Sequence, residues 1–454
     1  MSNGASVADH AALHGMVIYR ASRLEALLEP LQLLMRAAPP RHVLAPHEIV
    51  AAHPGMQKWL SRELARARGP KGIVANLRIE LPSAWLERLA QNVLGEEAVA
   101  LRSYRREVLR WRIHECLGAI ADPTLRAYLA GDSHSRAQRR FQLADRLARI
   151  YTQYLVYRPD WLRDWAAGRP GAAHSFLAPL WKMLRQQIGQ PHRGEMLTRL
   201  IAALGPAAPG RSPGAAEATD GRERPAEATD GREQPPTDDE PLHVFGIAHL
   251  APSELAVLRA VARHRLVVLY VPDPCREFWG GLRSERQRLR ELMLHDPDGA
   301  QTQGAFLEQG HALLASWGRM GQHFLLALDD SQAHIDERHW QDETNLPQPQ
   351  LDSRLHRLQE SIRELKPGLI GEGADPRAAR ADRSLRVHAC HTRLRELEVL
   401  RDALLRERAE NPQLKASDIV VMMPHVQSYL PLLPTVFGEA GRHEAERRQR
   451  RVAA

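Results

Sequence analysis

The chain has 454 residues, 43% hydrophobic and 26% charged, with a net charge of +7 and a pI near 9.6. That size and balance fit a globular protein of two or three domains, and no apolar run approaches the roughly 18 residues of a membrane span. Three scattered cysteines, Cys116, Cys275 and Cys390, exclude a disulfide framework and a cysteine-rich metal site, and they suit a reducing, cytoplasmic setting.

The N-terminus, "MSNGASVADHAALHG", lacks the basic and apolar regions of a signal peptide. Residues 1–15 are expected to be disordered. "MVIYRASRLEALLEPLQLLM" (Met16 to Met35) reads as a strand, a polar turn and an amphipathic helix, with Ser22 as its N-cap. "HEIVAA" (His47 to Ala52) is a second strand. Pro54 and Gly55 make a turn, and Met56, Leu60 and Leu64 mark the apolar face of a helix to Arg68. An extended segment and another helix follow, to Leu89. Strand and helix alternating in this way predict an α/β fold with a parallel sheet.

Leu101 to Gly205 is almost wholly helical in pattern, and it concentrates Tyr151, Tyr154, Tyr157, Trp161, Trp165 and Trp181. Aromatics three and four apart are expected to form a core, ahead of a base-stacking platform. Pro206 to Pro241 contains the repeat "AEATDGRERP" and "AEATDGREQP", too polar to offset the entropy of ordering, and reads as a disordered linker. Strands are expected again at Leu242 to Leu250 and Arg265 to Cys275. A further unit is expected from Leu385 to Cys390, a helix, and a strand at Asp418 to Pro424. Glu439 to Ala454 is a charged, arginine-rich tail.

A nucleotide-hydrolysing sheet needs glycines and a lysine after its first strand to cradle phosphates. "YRASRLEAL" (Tyr19 to Leu27) holds neither, and Gly-Lys occurs nowhere in the chain. "HVFGIAHL" carries no acidic residue at its end to hold magnesium. No ATP hydrolysis is therefore expected. "GPKG" (Gly69 to Gly72) reads as a helix-ending turn. His388 and His391 of "HACH" point to opposite faces of a strand, which is poor metal geometry. No metal and no cofactor is expected. The positive balance suits an acidic polymer, although arginine bias alone is weak support.

"HPGMQKWL" (His53 to Leu60), "QYLVYRPDWL" (Gln153 to Leu162), "APLWK", "PCREFWG", "LLASWGRMG" and "DIVVMMP", in this order, resemble the RecC subunit family of the RecBCD helicase–nuclease, exodeoxyribonuclease V. The resemblance runs from about Met16 to Gly438. It implies a superfamily 1 helicase-like α/β fold with a decayed P-loop: a first domain in two parts, 16–100 and 242–380. A helical insertion at 101–205, a linker at 206–241 and the start of a second helicase-like domain at 381–438 complete it. It implies a non-catalytic subunit that splits duplex ends, guides single strands and scans for Chi beside RecB-like and RecD-like partners. Single-stranded and forked double-stranded DNA would be its ligands. By the same resemblance Leu81, in the family's "LP" element, and Asp132, Arg139 and Arg140, in a loop facing the strand, are DNA-contact candidates. Where the family favours small polar and amide side chains, this chain has Ala52, Pro54 and Lys58, so Lys58 is a phosphate contact at most. The family chain is more than twice this length, so a truncated remnant is an alternative reading. An active helicase or an AddB-like nuclease subunit with an iron–sulfur cluster is another, and the missing P-loop and scattered cysteines argue against both.

Overall fold

In the computed structural model of the chain, the described residues are 15–40, 44–69, 71–95, 102–169, 176–205, 240–282, 311–329, 335–337, 353–366 and 382–438. The repeat linker, the basic tail and the N-terminal residues before Gly15 lie outside them. Contacts divide the chain into two compact units. One comprises Met1–Leu346 with Gln359–Leu369, the other Pro347–Leu358 with Ile370–Ala454.

The first unit is built on a six-stranded parallel sheet. Its strands are β1 (Gly15–Ala21), β2 (His47–Ala51), β3 (Leu77–Glu80), β4 (Leu242–Phe245), β5 (Leu266–Pro272) and β6 (Ile335–Glu337), in the spatial order β3-β2-β4-β5-β1-β6. Parallel neighbours require crossovers, and helices supply them. Alternation along each strand sorts side chains onto two faces. Met16 and Ile18 of β1, with Val244, Val267 and Leu269, pack against α3 (Pro82–Leu94) and, after the helical region, α9 (Arg193–Leu204) and α10 (Pro252–Ala262). Val17, Tyr19 and Ala21, with Ile49, Phe245 and Tyr270, pack against α1 (Leu28–Ala37) and α2 (Pro54–Arg66). Both faces are buried, so these strands read as continuous apolar runs.

The sequence-based elements keep their order but differ from the observed ones in several places. Pro54 and Gly55, expected as a turn, are the first residues of α2, and the strands expected at Leu242 to Leu250 and Arg265 to Cys275 end at Phe245 and Pro272. The helix after β1 begins at Leu28, not at Ser22. Residues 22–27 form a turn in which the Leu27 and Leu28 N–H groups donate to Leu24 and Glu25 carbonyls, and Leu27 is already buried there. The strand β6 was not foreseen, because "IDE" is short and polar. A further difference lies in the second unit. Leu385 to Cys390 and Asp418 to Pro424 pair with no strand among the described residues. Val387 and Met422 are 92% and 88% exposed. A β-strand exists only through a neighbour's ladder, and these segments have none among the described residues.

Between β3 and β4 the chain forms α4 (Arg106–Cys116), α5 (Pro123–Leu129), α6 (Ser133–Tyr157), α7 (Pro159–Ala166) and α8 (Leu177–Ile188), then α9. Their core contains Tyr151, Trp165 and Trp181. The Trp181 ring packs tilted against that of Tyr151, centroids 5.2 Å apart, and donates its indole N–H to the Leu162 carbonyl at 2.9 Å. The aromatic spacing thus marks a core for these three. Tyr157 instead lies half-exposed against the His249 ring.

The remaining helices of the first unit include α11 (Ala312–Trp317) and α12 (Arg319–Asp329). The division between units falls within α13 (Arg354–Arg363). In the second unit α14 (Arg393–Glu410) is capped by Thr392, whose hydroxyl accepts from the Arg395 N–H at 3.1 Å. The helix buries Leu397, and α15 (Leu433–Phe437) buries Val436. No helix among the described residues is long and apolar enough to cross a membrane.

Candidate nucleic-acid interface

The five residues singled out from sequence fall into two groups. Lys58 and Leu81 belong to the edge of the sheet. His53 caps α2, its Nδ1 accepting from the Met56 N–H at 3.3 Å, and Pro54 starts the helix. The Met56–Leu60–Leu64 stripe faces the sheet, which leaves Lys58, Ser61 and Arg62 outside. Gln57 fixes the helix over the edge strand by donating its amide to the Ile79 carbonyl at 2.6 Å. The result is an open cleft of about 630 Å³ lined by Gln57, Lys58, Ser61, Arg62, Leu77 and Ile79. Lys58 has no ion-pair partner among the described residues. Leu81 follows β3 and occupies the N-cap of α3, half-buried, its carbonyl accepting from the Trp85 N–H at 3.0 Å.

On the other face of the edge strands, arginines are used internally. Glu48 on β2 is buried and holds Arg265 and Arg88, each at 2.8 Å, with Arg78 at 3.5 Å. Burial alone would raise the Glu48 pKa, but Arg265 and Arg88 outweigh it and hold it below the ordinary value.

The second group lies in the helical region. Asp132 caps α6: one carboxylate oxygen accepts from the Ser135 N–H at 2.9 Å, the other from the Ser135 hydroxyl at 2.7 Å. These hydrogen bonds, the backbone one first, lower its pKa. Gly131, at φ 131°, supplies the turn before it that side chains resist. Arg139 donates to the carbonyl of Ala130 at 2.7 Å and weakly to that of Tyr128 at 3.4 Å, closing the end of α5. Arg140 donates to the His114 and Glu115 carbonyls at 2.7 and 3.1 Å, closing the end of α4. Both cations therefore brace helix C-termini, where the helix dipole favours them, and both keep their charge, since a carbonyl does not neutralise a guanidinium.

One cluster escaped sequence reasoning. At the carboxyl edge of the sheet, where α/β proteins usually bind ligands, Arg20 of β1 is 1% exposed. It donates two hydrogen bonds to Asp336 of β6, at 2.8 and 2.6 Å, and lies 3.6 Å from Asp273, just beyond β5. Asp273 also accepts from the Trp279 indole N–H at 2.9 Å, and its own N–H donates to the Ala21 carbonyl at 2.9 Å. Burial, more than these partners, sets the Asp273 pKa, which is raised. Beyond β4, Gly246 has φ 70°, and a Cβ there would sit 2.9 Å from the Met56 methyl and 3.6 Å from Leu24. The only signal in the sequence was one arginine in an apolar strand. Among the described residues, no group of three His, Cys, Asp or Glu side chains is placed to hold a metal ion.

The family model described as "RecC, N-terminal domain" matches residues 16–365. Curated relatives called RecBCD enzyme subunit RecC include that of Escherichia coli K12, 30% identical over 93% of this chain and 38% of the relative. Those of Haemophilus influenzae and Mycobacterium tuberculosis H37Rv are each 28% identical, over 93% and 94% of this chain and 39% and 36% of the relatives. The chain thus spans less than two-fifths of the length of these relatives.

Proposed function

The chain belongs to the RecC family, and from that premise we propose that it is a non-catalytic DNA-binding subunit of a RecBCD-type exodeoxyribonuclease V. On this reading it works in the cytoplasm beside RecB-like and RecD-like partners. It helps to split duplex ends, guides the single strands and scans for Chi. The sheet is then a superfamily 1 helicase-like core whose P-loop has decayed, with 381–438 opening a second such domain.

The observation that carries this reading is the filled carboxyl edge of the sheet. A nucleotide's phosphates need converging N–H donors and a lysine. Here the donors of Arg20 are spent on two aspartates, whose carboxylates repel phosphate. Leu24 and Met56 crowd Gly246. The same fold position is thus held by side chains in place of ATP and magnesium.

The DNA contacts follow from the two groups of residues. Lys58 reaches backbone phosphate from its cleft, and Leu81 meets bases. Arg139 and Arg140 supply positive potential to the strand while they brace α5 and α4. Asp132 holds the loop in shape. Binding of single-stranded DNA by the full chain tests this. Lys58→Glu is expected to weaken every sequence alike and to reduce the slope of log K against log salt by about 0.7. Arg139→Glu is expected to do the same and also to lower the melting temperature, because Ala130 loses its donor. Leu81→Ala is expected to shift preference among sequences. If all three variants matched the unsubstituted chain at low salt, these contacts would be wrong.

A further inference from the structure

Trp111 and Phe141 stand outside every core. Leu109 and Ile113 turn the inner face of α4 into the helical core, and Ala144 and Ala148 do so for α6. Trp111, on the other face of α4, is 54% exposed, and Phe141 of α6 is 38% exposed beside it. Their ring centroids are 5.5 Å apart, tilted by 53°. The Arg110 guanidinium lies 5.5 Å from the Trp111 centroid and 5.3 Å from that of Phe141. Arg110 and Arg106 share Asp145, at 3.5 and 2.8 Å, which fixes the guanidinium against the rings. Val108, one turn before Trp111, extends the exposed apolar surface.

A contiguous aromatic patch that the fold does not bury is a contact surface. Its charge selects the partner. The helices α4 and α6 carry eight arginines against the three acids Glu107, Glu115 and Asp145. Two of those arginines, Arg139 and Arg140, bond to uncharged carbonyls, so the surplus stays positive. Planar rings within a cationic field suit unpaired bases on a polyanionic backbone.

We propose that Trp111, Phe141 and Arg110 form a stacking platform for the bases of single-stranded DNA. The proposal rests on the DNA-binding function above but places a site away from the Lys58 cleft. Bases stack on the exposed rings and on the guanidinium plane, while the surrounding arginines hold phosphates. Such a site takes any sequence, because every base has a π-face.

Binding of oligothymidylate and of an abasic strand of equal length, at low salt, separates stacking from charge. The full chain is expected to prefer oligothymidylate. The double variant Trp111→Ala, Phe141→Ala is expected to lose about 5- to 100-fold in affinity for it and to bind the abasic strand as before. Trp111→Leu, which keeps apolar bulk and removes the π-face, is expected to move in the same direction with an unchanged melting temperature. Equal binding of the two strands by the unsubstituted chain would overturn the platform. So would full oligothymidylate affinity in both variants, which would assign the patch to a protein partner. Failure of the unsubstituted chain to bind either strand would instead remove the DNA-binding function itself, and the platform with it.

Discussion

Replacing Arg20 by alanine is expected to cost about 1–3 kcal/mol of stability, because it takes a buried guanidinium away from the carboxylates of Asp336 and Asp273. Asp336 loses two hydrogen bonds and Asp273 its nearest cation. Asp273 gives the effect a pH signature. Its folded pKa is raised above the ordinary 3.8, mainly by burial. The folded state therefore holds a proton that the unfolded state releases as pH rises through the ordinary aspartate range and up to the folded value. Stability falls across that window and is lowest above it. Removing Arg20 raises the Asp273 pKa further, so the variant's deficit is expected to be largest at neutral pH and to shrink in mild acid. Melting temperatures of both proteins across that range check this. A deficit independent of pH would mean that Asp273 is not the group left exposed to the change.

Trp181→Ala is the second large effect. The side chain is fully buried, packs against the Tyr151 ring and donates to the Leu162 carbonyl. Truncation leaves a cavity and takes one donor from the Leu162 carbonyl, and about 3–5 kcal/mol is expected for a core tryptophan. Denaturant titration gives the value. A loss under about 1 kcal/mol would show that the aromatic cluster does not hold the helical region together. Trp111→Ala, on the exposed side of the same region, is expected to leave stability nearly unchanged.

The sheet was legible because β1, β2, β4 and β5 are buried on both faces, so their apolar runs stand out between turns. The edge strand β3 and the short β6 carry charges, and nothing local separates them from loops. Leu385 to Cys390 and Asp418 to Pro424 have the same apolar composition as the buried strands. Composition records a tendency to pair, whereas a strand needs a neighbour, and these segments have none among the described residues. The site was less legible still. Arg20 and Asp336 are 316 residues apart, and only the fold joins them. Arg139 and Arg140 look from sequence like a solvated cationic face. That their guanidinium groups close α5 and α4 depends on carbonyls contributed by other helices.

On the proposed reading, the Arg20–Asp273–Asp336 cluster stands at the carboxyl edge of the sheet where a nucleotide-hydrolysing protein would hold ATP. Magnesium-dependent ATP hydrolysis by the full chain, with and without single-stranded DNA, tests it most directly. The account predicts turnover at background under both conditions. DNA-stimulated hydrolysis abolished by one substitution within Tyr19 to Leu27 would contradict it.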